Sequence, residues 1–141
     1  MALDLSSLKK ALACLESALQ VATPGKMEAF DEDLQDVVKA GIIQNFEFCY
    51  ELCWKFLQRW IALNKSPEDA EPRTRKDLFR MAARYGLIKN PLAWFEYSAA
   101  RNLTVHTYDQ VKADTVGKAK AAVPFLDDAK YLLAQLEALN D

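Results

Sequence analysis

A chain of 141 residues, 51% hydrophobic and 27% charged, has the length and composition of one soluble domain spanning 1–141, enough to bury about two thirds of the surface the unfolded chain exposes. A formal net charge of -2 argues against a protein that coats nucleic acid generally, although it leaves room for a local basic stripe. No apolar run approaches the roughly 18 residues that span a bilayer, and the N-terminus lacks a signal-peptide core, so the expected compartment is the cytoplasm, with no membrane contact.

Leu5, Leu8, Leu12, Leu15, Leu19 and Ala22 recur three and four residues apart. This predicts a first helix packed lengthwise on another, with Asp4 or Ser6 able to cap its start. Thr23-Pro-Gly-Lys26 is a turn signal that ends it. A second, unusually long helix is predicted from Asp31 or Asp33 to Leu63. Ile42, Phe46, Cys49, Cys53, Phe56 and Trp60 form one apolar stripe along it, and Ile43, Tyr50, Trp54, Leu57 and Ile61 form another. Two stripes are too wide for a helix with one neighbour, which makes this the central element. The cysteine count is odd, and Cys49 and Cys53 stand at i, i+4 inside that run. They read as buried reduced thiols, against a disulfide framework or a metal site.

Asn64 to Pro72 is a polar linker. Thr74 with Asp77 three residues on predicts a capping box opening a third helix, which Gly86 ends. Asn90-Pro91 supplies N-cap and first position of a fourth, with Leu92, Phe95 and Ala99 as its apolar face. Tyr108 to about Ala113 is read as a connection. The last helix is expected from Asp114, with Val116, Ala119, Val123, Leu126, Leu133 and Leu136 inward and a kink or break at Pro124. With no alternating strand pattern and no glycine-rich phosphate loop, the expected fold class is all-α: an up-and-down bundle of four to five main helices.

The densest chemistry lies at the end of the fourth helix, in Ser98-Ala-Ala-Arg-Asn-Leu-Thr-Val-His-Thr-Tyr108. It contains the only histidine of the chain, His106, so imidazole acid/base work within one protomer has to happen here. In an unbroken helix Arg101 and His106 would point about 140° apart, so they share a site only if the helix ends between them or a second copy supplies the partner. The β-branched Thr104, Val105 and Thr107 make an ending near Leu103 to Val105 reasonable. Upstream, Glu47 and Glu51 repeat a negative charge at i, i+4 in a polar seam with Gln44 and Lys55, an arrangement that needs a cation. Lys55 answers Glu51 locally, and the seam reads either as a solvated face or as the receiver of Arg101 or the His106 ring. Arg73, Lys76, Arg80 and Arg84 form a 3-4-4 stripe on the third helix, either a solvated face or a contact for RNA phosphates or an acidic partner.

The pattern Arg101, four residues, His106, one residue, Tyr108, with Asn102 directly after the arginine, resembles the signature of the HEPN superfamily. Within it the likeness is to the small subunit of HEPN/MNT pairs, encoded beside a minimal nucleotidyltransferase and also described as a nucleotidyltransferase substrate-binding family. Gly41 to Lys55 is similar to that family's long second helix, so the likeness covers nearly the whole chain. It implies a HEPN-like bundle, a homodimer in which both motifs face one cleft, and an endoribonuclease toxin with Arg101, Asn102 and His106 as catalytic residues. The chemistry suits those residues. An imidazole with an ordinary pKa of about 6.5 can take a proton from a ribose 2′-hydroxyl or give one to the leaving 5′-oxygen, and a planar guanidinium braces the phosphorane. The products would be a 2′,3′-cyclic phosphate and a 5′-hydroxyl, without a metal or other cofactor. The resemblance also implies that the partner nucleotidyltransferase, using ATP and Mg, acts as antitoxin by attaching AMP to Tyr108. The alternative is a non-catalytic subunit that presents a substrate or nucleotide to the nucleotidyltransferase.

Overall fold

Among the described residues of the computed structural model, 3–71, 74–102 and 108–139 with only the backbone of 108–119, seven helices follow in order. They are α1 (Ser6–Val21), α2 (Pro24–Met27), α3 (Glu32–Asn64), α4 (Pro67–Ala70), α5 (Arg75–Arg84), α6 (Pro91–Arg101) and α7 (Tyr108–Ala138). The long apolar run becomes the axis, because α3 packs against α1, α4, α5, α6 and α7. All six members of its first stripe are buried, as are Tyr50, Leu57 and Ile61 of the second, while Trp54 packs against the core half-buried. Burial on that scale is the main stabilising contribution, at about 1.5–3 kcal/mol for each large apolar side chain removed from water.

The helix boundaries follow from capping. Asp31 accepts a hydrogen bond from the Leu34 amide at 2.8 Å and opens α3, Thr74 accepts from the Asp77 amide at 3.1 Å and opens α5, and Asn90 accepts from the Leu92 amide at 3.0 Å before Pro91 of α6. The end of α5 is a Schellman turn. The Leu87 amide donates to the Ala82 carbonyl at 2.9 Å and the Gly86 amide to the Ala83 carbonyl at 3.1 Å, which requires the positive φ of +80° at Gly86. The two turn segments each hold a single helical turn, α2 and α4. Ser66 caps the second by accepting from the Asp69 amide.

Several expectations are corrected. The buried face of α6 is Trp94 and Tyr97, whereas Leu92 is 65% exposed and Ala99 is also exposed. Aromatic packing decides the rotation. Trp94 and Tyr97 meet Phe125 of α7 at centroid distances of 5.6 and 5.3 Å, and Phe125 meets Phe46 of α3 edge-on at 5.1 Å. The face that enters the core therefore leads to Arg101, while Asn102 is exposed. Tyr108 opens a helix rather than a connection, since Gln110 to Ala113 contains no breaker. Finally, α7 continues through Pro124 without a break. Pro124 and Lys120, whose carbonyl loses its donor, both lie on the exposed side, so water can satisfy that group. The buried face of α7 is Ala122, Phe125, Leu126, Ala129, Leu132 and Leu136, with Val123 turned outward and Leu133 only partly covered. Val116 and Ala119 lie outside the described side chains.

Candidate functional site

The aromatic wedge of α6 fixes where its last residue goes. Tyr97 is 4% exposed and donates its hydroxyl to the Asp128 carboxylate of α7. Burial and that carboxylate together hold its phenol well above the usual range. One turn later Arg101 ends the helix, where a cation faces the negative end of the helix dipole. Asn102 closes it, its amide donating to the Ser98 and Ala99 carbonyls at 3.1 and 3.2 Å.

The Arg101 side chain reaches back to α3. Its Nη1 stands 2.9 Å from Glu47 Oε2 and its Nε 3.6 Å from Glu51 Oε1, with the three side chains only 26–33% exposed. The two carboxylates thus meet their cation across the helix interface, from Arg101 rather than from Lys55, whose ammonium lies 5.7 Å from the Trp54 ring. At 3.6 Å the Glu51 contact is electrostatic, and the buried Nε carries no hydrogen bond. A guanidinium has five N–H donors in a fixed fork, and these two ion pairs use its Nη1 and Nε positions.

A second set of polar contacts, which the spacing of charges along the chain does not reveal, supports this pair. Trp54 Nε1 donates to Glu51 Oε2 at 2.8 Å. Arg75, the first residue of α5, lies over the Trp54 ring at 4.0 Å and donates Nη1 to Tyr50 Oη at 3.0 Å. The fully buried Tyr50 in turn donates to Ser98 Oγ on α6 at 2.8 Å. Arg75 escapes notice in the sequence because the 3-4-4 basic stripe runs through its neighbours, and Tyr50 and Trp54 because they read as core aromatics. The available signal is their i, i+4 spacing around Glu51.

Of the other expected positions, His106 and Arg73 lie outside the described residues, and for Tyr108 only the backbone, at the start of α7, is described. Lys76 and Arg80 flank the half-buried Phe95 ring at 5.4 and 5.2 Å, and Arg80 also pairs with Asp77 at 3.0 Å. Arg84 is exposed at the end of α5. No helix among the described residues is long and apolar enough to cross a membrane.

An all-α bundle with a guanidinium clasped between its central helix and the end of α6 invites comparison with proteins of the same build. The chain belongs to the family described as "Nucleotidyltransferase substrate binding protein like", which matches residues 3–138. A relative in Haemophilus influenzae named "Probable ribonuclease HepT" is 36% identical over 140 residues, covering 98% of this chain and 94% of that protein. A solved Haemophilus influenzae structure, described as revealing the fold of a substrate binding domain of a nucleotidyltransferase, superposes with a TM-score of 0.82 at 33% identity, covering 95% of this chain and 99% of that one. A crystal structure from Thermus thermophilus superposes at 0.68 with 27% identity, over 92% and 98% of the two chains. These matches agree with the HEPN resemblance carried by Arg101 to Tyr108.

Proposed function

We propose that this chain is the HEPN toxin of a toxin–antitoxin pair, a homodimeric, metal-independent endoribonuclease. In this reading His106 moves the proton, Arg101 braces the phosphorane and Asn102 orients either the imidazole ring or the scissile phosphate. The observation that carries it is the placement of Arg101. A partly buried guanidinium at a helix end, held 2.9 Å from Glu47 and 3.6 Å from Glu51, is a preorganised cation just before the only histidine of the chain. Preorganised charge is usually the largest source of transition-state stabilisation where charge develops on phosphate oxygens. The relative named for ribonuclease activity points the same way. With one imidazole per chain, acid and base roles are divided between two protomers whose motifs share a cleft. The partner is a minimal nucleotidyltransferase that silences the toxin by attaching AMP to Tyr108, where added charge and bulk beside His106 repel RNA.

Expression in a bacterial host tests both halves. Growth should stop with the parent and continue with His106→Ala, and the cognate nucleotidyltransferase should restore growth to the parent but not to Tyr108→Phe. Arrest by His106→Ala as strong as the parent's would remove the imidazole from the mechanism.

The second reading is a binding subunit that presents substrate to the nucleotidyltransferase. The description of the family and of the Haemophilus influenzae structure favours it. It predicts no cleavage by either protomer and a complex in which the nucleotidyltransferase does all the chemistry.

A further inference from the structure

We infer that Arg75 and Trp54 form a positioning device for Arg101, setting the guanidinium through Glu51 on one side and through Ser98 on the other. The inference rests on the reading of Arg101 as the phosphate-bracing group. Arg75 lies at the start of α5, yet two contact chains run from it to the end of α6. The first passes through Trp54. The guanidinium of Arg75 lies over the indole at 4.0 Å, and the same indole donates to Glu51 Oε2 at 2.8 Å, leaving Glu51 Oε1 facing Arg101 Nε at 3.6 Å. The second passes through Tyr50. Its hydroxyl accepts from Arg75 at 3.0 Å, so its single proton is committed to Ser98 Oγ at 2.8 Å, one turn before Arg101.

The geometry explains a choice that α3 otherwise leaves open. A glutamate on a half-exposed seam samples several rotamers, and holding one costs side-chain entropy. The Trp54 N–H selects the rotamer that puts a carboxylate oxygen against Nε. The stacked Arg75 in turn fixes the indole, since a flat cation on an aromatic face is attracted by the ring quadrupole. With Glu51 released, Arg101 would keep its Glu47 contact and turn about it. A displacement of about 1 Å at a phosphate-bracing group is enough to cost about a hundredfold in rate.

The test combines a spectroscopic and a kinetic readout on the full chain. The Nε–H signal of Arg101 is followed by nitrogen-resolved NMR in the parent, Trp54→Phe, Arg75→Gln and Arg75→Lys, with Lys9→Gln as control. Lys9 pairs with Glu137 on the α1/α7 side, 3.8 Å away. Trp54→Phe keeps an aromatic ring and removes the donor. It should shift the Arg101 signal and speed its hydrogen exchange. Arg75→Gln should do the same, and Arg75→Lys should recover little because it lacks the planar stack. In cleavage assays kcat should fall about tenfold to a hundredfold with KM for RNA unchanged, and Trp54→Phe combined with Glu51→Gln should cost no more than either alone. An unmoved Arg101 signal in Trp54→Phe overturns the inference, as does a moved signal with kcat intact. A moved signal in Trp54→Phe, together with a parent protein that cleaves no RNA, leaves the positioning geometry standing, removes its catalytic role and brings down the ribonuclease reading.

Discussion

Arg101 concentrates the chemistry of the described part of the site into one side chain, and its surroundings explain why lysine cannot replace it. Nη1 meets one carboxylate at 2.9 Å and Nε faces another at 3.6 Å, a forked demand that a single ammonium cannot satisfy. Arg101→Lys should keep the fold and lose about a hundredfold to a thousandfold in cleavage rate, measured in single-turnover assays against circular dichroism of the same sample. The thiols give an independent check of burial. Cys14 is exposed while Cys49 and Cys53 are fully buried, and burial pushes the Cys49 thiol up to about 12. A thiolate reagent at about pH 8 should therefore modify Cys14 in the native protein and reach the other two only after unfolding. At this scale the sequence was partly legible. Like charges at Glu47 and Glu51 announced a missing cation, because i, i+4 repulsion is a local rule. The local rule also suggested Lys55, and it failed because the cation arrives from another helix. Tyr50, Trp54 and Arg75 were not legible as a polar network, since stacking and donor direction depend on how α3, α5 and α6 meet.

Among the elements, α6 shows where periodicity stops being decisive. Leu92, Phe95 and Ala99 form as regular a face as Trp94 and Tyr97, and both faces occur in the same eleven residues. The choice falls to volume. Trp94 and Tyr97 fill space beside Phe125, and Trp94 beside Phe79, that leucine and alanine would leave empty. Phe125→Ala should cost about 3–5 kcal/mol, read as a fall in denaturant midpoint. It should also reduce activity through α6, because the same ring sets the helix that carries Arg101. Capping signals were easier to read, being local: Asp31, Thr74, Asn90-Pro91 and Gly86 all mark helix ends. Gly86→Ala should cost about 1–2 kcal/mol through the positive φ alone, since a methyl group there would meet nothing within 4 Å. Pro124 does not end α7, because the carbonyl that loses its donor, on Lys120, lies on the exposed side and is open to water.

Across the whole molecule the all-α bundle followed from apolar spacing and the absence of strand signals, and the central place of α3 from its two stripes. Net charge could not single out a candidate surface for RNA, because -2 over 141 residues says nothing about where the cations sit. The structure gathers Lys76 and Arg80 beside Phe95, a cation and aromatic surface of the kind that holds single strands by phosphate contact and stacking. Reversing Lys76, Arg80 and Arg84 to glutamate should weaken RNA binding and flatten its salt dependence, by roughly one unit of slope for each phosphate no longer neutralised. A slope equal to the parent's would return those residues to an ordinary solvated face.

The ribonuclease reading stands or falls on whether the stretch from Arg101 to Tyr108 cleaves RNA without a metal, and one assay addresses it. Purified parent and His106→Ala proteins are incubated with end-labelled RNA in excess EDTA, and the product ends are identified. Fragments ending in 2′,3′-cyclic phosphate from the parent, and none from His106→Ala, are the expected result. Intact RNA with a folded, dimeric parent would overturn that reading and leave the chain as a binding subunit for its nucleotidyltransferase.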